Sequence, residues 1–200
     1  FIDDKSTDKS LFLAYKLSKK LKGLKIFKNK KNYGLGYVFF KGINISKGSH
    51  IIYVPSDNSH KGLELAKLFR YYFKDFDFVS TYYERKERRF LRGLFTATYT
   101  PLLNFLYGLN LPYYNGLTLY KKKIIKNLGI KNNSFSYNIE IFVKLFHTKS
   151  LKYTFKKTKV NDKLNKTHAF GIRNSLQVIY KIFIIFLKSI KYRILKYSNP

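Results

Sequence analysis

The sequence contains no cysteine, and its acidic residues are few. Without cysteine the chain has no disulfide framework, no cysteine-based zinc site and no thiol nucleophile. Its four histidines are scattered and form no HExxH pattern, which argues against a zinc hydrolase. Eleven Asp and Glu face 40 Lys and Arg, so the formal net charge is +29. Because the lysines are spread along the whole chain, this charge favours an anionic lipid surface or an anionic substrate over nucleic acid.

Apolar and aromatic residues, by contrast, are abundant. Hydrophobic residues make up 45% of the chain and aromatic residues 18%, which excludes a disordered protein despite the charge. Two hundred residues are enough for one domain with a packed core.

Short apolar runs alternate with helical patterns in the first part of the chain. The patterns predict strands that end at Asp3 and that cover 24–29, 50–57 and 76–81, with helices over 10–21, 37–46 and 62–73 between them. This βα alternation with short links predicts an α/β fold with a largely parallel sheet covered by helices.

The second part is predicted to contain, in order, a helix through Tyr107, a strand within 111–125, a helix over 136–149, a strand over 151–160, a polar loop and an apolar helix over 175–197. The uninterrupted apolar core of the last helix, IFIIFL, is far shorter than the ~20 residues that a spanning helix needs. This segment is expected to lie at a membrane interface or to pack on the domain. The predicted division is a domain over 1–170 and this helix over 171–200.

Two acidic sites follow predicted strands, Asp3-Asp4 after the first and Asp57 after the third. In open α/β sheets, ligands bind beyond the carboxyl ends of the strands. Carboxylates at this edge of a basic protein predict a divalent cation, Mg²⁺ or Mn²⁺, together with a phosphate-containing ligand.

Several motifs resemble, in order, those of family 2 glycosyltransferases of the GT-A fold. FIDDKSTD (1–8) resembles the family's apolar-apolar-Asp-Asp-Gly-Ser-Thr-Asp signature, and YVPSDNSH (53–60) stands where the family has its Asp-x-Asp metal motif. Further similar stretches are NYGLG (32–36), GINISKG (42–48), NFLYGLNLPYYNG (104–116) and YNIEIFVK (137–144). The last two are similar to polyprenyl-phosphate sugar transferases of the dolichol-phosphate mannose synthase type. The resemblance covers nearly the whole chain.

The resemblance implies a mixed, mostly parallel GT-A sheet flanked by helices. It also implies that the family's first βα unit is missing, so that the chain is truncated at its N-terminus. The residues expected to bind the nucleotide sugar are Asp3, Asp4, Ser6, Gly34 and Gly36.

The same resemblance assigns the metal to Asp57, assisted by Ser59 or His60. Two positions depart from the family pattern. Pro55 replaces the first acid of the metal motif, which leaves a single carboxylate, and Lys5 stands where glycine is usual. The first change is expected to weaken or rearrange metal binding, and the second to stiffen a turn or add a phosphate contact.

The implied reaction is an inverting transfer of a sugar from a nucleotide diphosphate to a polyprenyl phosphate or a cell-envelope glycan, at the cytoplasmic face of a membrane. A lipid phosphate is already an anionic nucleophile and needs no strong base. Its candidate contacts are Arg88, Arg89, Arg92 and Lys166, since arginine grips phosphate through paired hydrogen bonds. A sugar hydroxyl needs a carboxylate base, for which Glu140 is the candidate.

Simpler interpretations exist for each of these residues. The acids at 3, 4 and 8 also suit a helix-capping cluster, and Asp57 also suits an ordinary turn. Glu140 also suits a purely structural role in its helix. For the whole chain, the alternative function is a non-catalytic basic binding module, either a glycosyltransferase remnant or a nucleic-acid-binding protein.

Overall fold

The computed structural model describes residues 1–57, 59–72, 74–83, 90–148, 150–159 and 172–198. Its elements, in chain order, are β1 (Ile2–Asp3), α1 (Ser10–Ser18), β2 (Phe27–Lys28), α2 (Leu35–Ile45), β3 (His50–Ile52), α3 (Gly62–Phe69), β4 (Phe78–Tyr82), α4 (Phe90–Tyr107), β5 (Thr118–Lys121), α5 (Lys122–Lys126), α6 (Tyr137–Thr148), β6 (Tyr153–Lys157) and α7 (Ile172–Ser198).

The strands form two sheets. β1 and β2 pair in parallel, with Ile2 opposite Phe27. The second sheet has the order β3-β5-β4-β6, in which β5 is antiparallel to both β3 and β4 while β6 is parallel to β4. Three strands of this sheet therefore run in one direction and β5 opposes them. The predicted α/β class, with a mixed and mostly parallel sheet flanked by helices, is confirmed.

One face of β4 packs on the main core. The ring of Phe78 lies 5.9 Å from that of Tyr120 on β5 and 5.4 Å from that of Phe142 on α6. α6 is buried on nearly all sides, as expected for a helix enclosed by the core, although it also carries polar residues. Its most buried side chains are those of Ile139, Ile141, Phe142, Val143 and Leu145. Each contributes about 1.5–3 kcal/mol through burial.

The other face of β4 packs on α3, because successive side chains of a strand point to opposite faces. Val79 contacts Leu68 of α3 and Leu117, which form a smaller apolar cluster. β4 therefore has helices on both sides, and a cavity lies on each side of it.

Several elements differ from the sequence-based prediction, which has no counterpart of α5. β3 ends at Ile52, whereas the strand predicted within 50–57 stops at Pro55, which has no N–H to donate to a neighbouring strand. In α1, only Ala14 of the predicted inner face is buried, whereas Leu17 is 50% exposed and Leu21, beyond the helix end, is 54% exposed. The two-residue strands of the small sheet offer little surface to cover these side chains.

α7 packs on α6 with one side and exposes an apolar side. Ile185 and Ser189 are buried, whereas Phe183 is 57% and Leu187 49% exposed. The exposed apolar side chains of this helix are those of Ile179, Tyr180, Phe183, Leu187, Ile190 and Ile194. At about 100° per residue, they occupy a single arc of about 100° around the helix. Within the described residues, no helix combines the length and the apolar character needed to cross a bilayer. The boundary predicted at 170/171 falls outside the described residues and stays a prediction.

Candidate active site

A small cavity lies next to the segment that follows β3. It has a volume of about 80 Å³. Its walls come from α2, the segment after β3, the approach to β5 and the start of α6, through Phe39, Tyr53, Pro55, His60, Asn115, Gly116, Leu117, Thr118, Tyr120, Tyr137 and Asn138. We refer to it as the neutral cavity, because no Lys, Arg, Asp or Glu is among these lining residues.

The polar groups of the neutral cavity are held by internal hydrogen bonds. Asn138 Oδ1 accepts a hydrogen bond of 2.8 Å from the Tyr120 hydroxyl, and Asn138 Nδ2 donates one of 2.5 Å to the Tyr114 carbonyl oxygen. Burial raises the pKa of Tyr120, so its hydroxyl stays protonated at neutral pH. Neutral amides and hydroxyls of this kind suit sugar hydroxyl groups better than phosphate.

Asp57 lies beside this cavity on an exposed turn. Its Oδ1 accepts a hydrogen bond of 3.0 Å from the Ser59 backbone N–H, which fixes the turn. Burial, together with the negative charge of Asp57, raises the pKa of Tyr53 to about 12. Asp57 lies in the chain between Pro55 and His60, which both line the cavity, so the turn that carries its carboxylate lies next to the cavity wall. His60 also lines the cavity, with its Nε2 3.5 Å from the Tyr83 hydroxyl oxygen, while Ser59 is buried next to it.

The residues around Asp57 offer an incomplete metal site. Within the described residues, no group of three or more His, Cys, Asp or Glu side chains is arranged to hold a metal ion. Mg²⁺ commonly binds through one or two carboxylates and completes its shell with water and substrate phosphates. Asp57 therefore offers one carboxylate to a divalent cation that arrives with a diphosphate, and the metal role of Asp57, Ser59 and His60 stays a prediction.

The two acids after β1 have different environments. Asp4 accepts hydrogen bonds of 2.7 Å from Asn29 Nδ2, 2.8 Å from the Gly34 N–H and 3.0 Å from the Tyr33 N–H. Its carboxylate thus holds the loop before α2. Asp3 is 2% exposed and accepts one hydrogen bond, of 3.2 Å, from the Ser6 N–H to its Oδ1. Its Oδ2 is buried without a partner among the described residues, and such an oxygen is suited to accept a donor group from a ligand.

The two glycines before and within α2 are required by close packing. A Cβ at Gly36 would lie 1.9 Å from the carbonyl oxygen of Asn132, and one at Gly34 would lie 2.5 Å from that of Asn133. Gly34 also has a φ of +91°, which disfavours any other residue. This packing explains both glycines structurally, and their contact with a nucleotide sugar stays a prediction.

Glu140 belongs to a buried polar network rather than to the neutral cavity. It is 3% exposed, and its Oε2 accepts a hydrogen bond of 2.9 Å from Asn132 Nδ2. Its Oε1 lies 2.5 Å from Lys188 Nζ on α7. A role as a base requires that the Lys188 ammonium move away, which is feasible because that side chain is 45% exposed.

The basic candidates for phosphate binding lie largely outside what the structure describes. Arg88, Arg89 and Lys166 are outside the described residues, and Arg92 lies in the first turn of α4. Sequence reasoning missed Asn138 and Asn115 as cavity residues. Helical geometry could have identified Asn138, because residues two positions apart on a helix point in directions about 200° apart. Asn138 and Glu140 therefore cannot face the same cavity, and Asn138 is the one that lines it.

The model of one protein family, Glycosyl transferase family 2, matches residues 1–129. The chain belongs to this family. The match covers Asp3, Asp4 and Asp57, the acids at the strand ends, and the approach to β5. A search of curated proteins gave no match.

Solved structures share the fold of this family 2 chain. Glucosyl-3-phosphoglycerate synthase from Mycobacterium tuberculosis, in complex with phosphoglyceric acid, superposes with a TM-score of 0.70 at 17% identity over 92% of this chain and 67% of that chain. The same enzyme with Mn²⁺, UDP-glucose and phosphoglyceric acid gives a TM-score of 0.69, also at 17% identity over 92% and 67% of the two chains. A mycobacterial protein gives 0.65 at 20% identity over 92% of this chain and 63% of that chain. These matches support the GT-A fold, and the chain spans about two thirds of the length of these structures.

Proposed function

We propose that this family 2 chain transfers a sugar from a nucleotide diphosphate sugar to a polyprenyl phosphate or a cell-envelope glycan, with inversion at the anomeric carbon. The observation that carries the proposal is the neutral cavity next to Asp57, in a chain that belongs to glycosyl transferase family 2. The cavity suits the hydroxyl groups of the transferred sugar, and the carboxylate beside it suits the diphosphate end of a donor with its cation.

The donor is held, in this proposal, from two sides. Asp57, with Ser59 and His60, binds Mg²⁺ or Mn²⁺, which neutralises the diphosphate leaving group. The free Oδ2 of Asp3 accepts a hydrogen bond from the nucleoside. The M. tuberculosis enzyme described above was solved with Mn²⁺ and UDP-glucose, which supports a nucleotide sugar with a divalent cation as the donor here.

In the reaction, an acceptor oxygen forms a bond to the anomeric carbon while the bond from that carbon to the diphosphate oxygen breaks, and the nucleoside diphosphate leaves. A phosphate oxygen of a polyprenyl phosphate attacks without losing a proton, and arginines 88, 89 and 92 with Lys166 are the proposed contacts that position it. For a glycan acceptor, a hydroxyl proton must pass to a base, for which Glu140 is proposed.

A membrane-bound acceptor is supported by the exposed side of α7. Six large apolar side chains in one arc, on a chain with a net charge of +29, fit a helix that lies in the interface of an anionic bilayer. We propose peripheral association with the cytoplasmic face of a membrane.

A second candidate is a non-catalytic binding module. Pro55 occupies the place of a metal-binding acid, and the described residues hold no three-ligand cluster. A chain of this kind keeps the fold and the basic charge but does not turn over a donor.

Thermal unfolding with UDP-sugars and GDP-sugars, each with and without Mn²⁺, separates the two functions. A ligand that binds only the folded protein stabilises it by about 2.7 kcal/mol at a hundredfold excess over its Kd. We expect a rise in Tm with one nucleotide class only, and only with Mn²⁺. The absence of any rise, together with the absence of sugar transfer to polyprenyl phosphate, would favour the binding module.

A further inference from the structure

A second cavity lies on the opposite side of β4, between α3 and β6. Its volume of about 340 Å³ is within the range of small-molecule sites. It shares no lining residue with the neutral cavity, and its walls are Glu64, Lys67, Leu68, Arg70, Tyr71, Lys74, Thr81, Lys156, Lys157 and Thr158. We refer to it as the basic cavity.

Positive charge is concentrated there beyond what the composition explains. Five of the ten lining residues are Lys or Arg, against 40 of 200 residues in the whole chain. Glu64, the acid in the wall, is already engaged, since its carboxylate lies 2.7 Å from both Lys67 Nζ and Thr158 Oγ1. These hydrogen bonds hold the pKa of Glu64 below its usual value, so it stays ionised and pairs with Lys67.

Two of the other lining cations, Lys74 and Lys156, lie near an aromatic ring. Lys74 Nζ lies 5.3 Å from the centroid of the Tyr71 ring, and Lys156 Nζ lies 5.4 Å from the same centroid. The turn after α3 and strand β6 thus bring two ammonium groups to one ring. In the part of the chain that the structure describes, neither lysine forms an ion pair with an acid, and neither does Arg70. Two ammonium groups near one ring raise the local positive potential, and this favours the binding of an anion.

Further lining groups suit a phosphate ester. The guanidinium of Arg70 presents several N–H donors in the geometry that pairs with phosphate oxygens. The ring of Tyr71 offers apolar surface for the organic part of a ligand, and the buried hydroxyl of Thr81 has no hydrogen-bond partner among the described residues. The volume admits one small molecule and not an extended polyanion.

We propose that the basic cavity binds the phosphate group of a small phosphorylated molecule, at a site distinct from the neutral cavity. Arg70, Lys74 and Lys156 contact the phosphate oxygens, and Tyr71 contacts the attached organic group. The phosphate comes either from a soluble phosphate ester or from the headgroup of a lipid phosphate. The site does not depend on the proposed transfer reaction.

The test compares two double variants with the same change in net charge. Lys74→Gln/Lys156→Gln removes both ammonium groups at the Tyr71 ring, and Lys16→Gln/Lys20→Gln removes two exposed lysines of and after α1. Binding of inorganic pyrophosphate is measured by calorimetry in 0.15 M salt with a chelator present, which suppresses cation-dependent binding near Asp57. We expect the first variant to bind at least tenfold more weakly and the second to change less than twofold. An equal loss in both variants would show general charge attraction and overturn the proposal.

A second arm identifies the source of the phosphate. Co-sedimentation is measured with phosphatidylcholine vesicles that contain a polyprenyl phosphate, using the same pair of variants and Arg70→Gln as an independent one. A selective loss in this arm assigns the site to a lipid headgroup, and a selective loss with pyrophosphate alone assigns it to a soluble ester. If all three variants bind both pyrophosphate and the vesicles as the parent does, the proposed phosphate site is refuted. The rise in Tm with a nucleotide sugar and Mn²⁺ is expected to persist, because it depends on Asp57, so failure of the proposed donor site is recognised separately.

Discussion

Lys188 Nζ lies 2.5 Å from Glu140 Oε1, and this contact joins the last helix to the most buried one. The lysine is half exposed, whereas the carboxylate is buried and also accepts a hydrogen bond from Asn132. The pair therefore fixes α7 against α6 and at the same time occupies the carboxylate that a hydroxyl acceptor would need as a base.

Glu140→Gln tests whether Glu140 acts as a structural partner of Lys188 or as a catalytic base. The amide keeps an oxygen for the Asn132 donor, and Lys188 can turn towards water, so we expect a stability loss below about 2 kcal/mol. With a polyprenyl phosphate acceptor we expect kcat to stay within about threefold of the parent, because no proton is removed. Steady-state kinetics and thermal unfolding check both points. A fall in kcat of about a hundredfold at unchanged Tm would instead assign the base role to Glu140 and favour a hydroxyl acceptor.

Asp57→Asn removes the charge beside the neutral cavity. We expect the Mn²⁺-dependent rise in Tm with a nucleotide sugar to disappear, because the amide is a poor ligand for a divalent cation in a site with one carboxylate. Thermal unfolding at fixed ligand concentration measures the effect. Asp8→Asn is the matched control, since Asp8 is exposed and its hydrogen bonds are local, chiefly to Ser10. A rise that survives in Asp57→Asn would refute the metal assignment.

Lys5→Gly is expected to stabilise the protein by about 1 kcal/mol. Lys5 has a φ of +65°, a backbone conformation in which a Cβ is strained and glycine is not. Lys16→Gly is the opposite control, because Lys16 lies within α1 and glycine inside a helix costs about 0.5–1 kcal/mol. Urea unfolding measures both changes. A destabilised Lys5→Gly variant would mean that the lysine side chain contributes a contact that outweighs the strain.

Acid sensitivity near pH 3 is expected to depend on Asp75. Hydrogen bonds from Lys121 and Lys152 hold the pKa of Asp75 at about 2, below the usual value of an aspartate. A lowered pKa in the folded state stabilises that state above pH 4 and loses this contribution as the pH falls from about 4 to about 2. Asp75→Asn should therefore flatten the pH dependence of Tm in this window. The Asp75 carboxylate is exposed, so 1 M salt should reduce its contribution to the stability of the parent protein. The prediction would be contradicted if the pH dependence of Tm were the same in the parent and in Asp75→Asn, and if 1 M salt did not change it in the parent.

The exposed side of α7 predicts binding to anionic vesicles. Burial of a Leu or Phe side chain is worth about 1.5–3 kcal/mol, so Phe183→Glu/Leu187→Glu should weaken vesicle binding at least tenfold. Co-sedimentation with phosphatidylserine vesicles measures the change. The control is Phe12→Glu/Leu13→Glu, which introduces the same charges on exposed apolar residues of α1. Equal weakening by both variants would locate the attraction in net charge and not in α7.

Local sequence patterns predicted the element order except for the short helix α5, because the hydrophobic period is visible within a few residues. β4, with its β-branched and aromatic residues, and α6, with its enclosed apolar run, were both predicted nearly to their observed bounds. The antiparallel direction of β5 was not predicted, because strand direction depends on where the chain returns after α4. The side of α1 that faces outward was also missed, since a helical pattern shows which side is apolar but not whether another layer covers it.

The candidate site was predictable only in part for a similar reason. Asp3, Asp4 and Asp57 follow strands, and their order in the sequence identifies them as candidates. The role of Asp4 in holding the loop at Gly34 depends on a contact 30 residues away in the chain. The reason for Gly36 lies in the backbone of Asn132, nearly a hundred residues further on, and no local pattern contains it.

Gly116 lines the neutral cavity, and the backbone carbonyl of Thr81, which lines the basic cavity, lies directly against it. A Cβ at residue 116 would stand 1.8 Å from that carbonyl oxygen, so only a hydrogen atom fits between them. The partition between the two cavities is thus as thin as two peptide backbones in contact. Any side chain added at residue 116 must force β4 and the approach to β5 apart. It would therefore change the shape of the neutral cavity and of the basic cavity together. Substitutions elsewhere in the lining can change the shape of the neutral cavity or the basic cavity separately. A substitution at Gly116 cannot, because there is no space for a side chain between the two backbones.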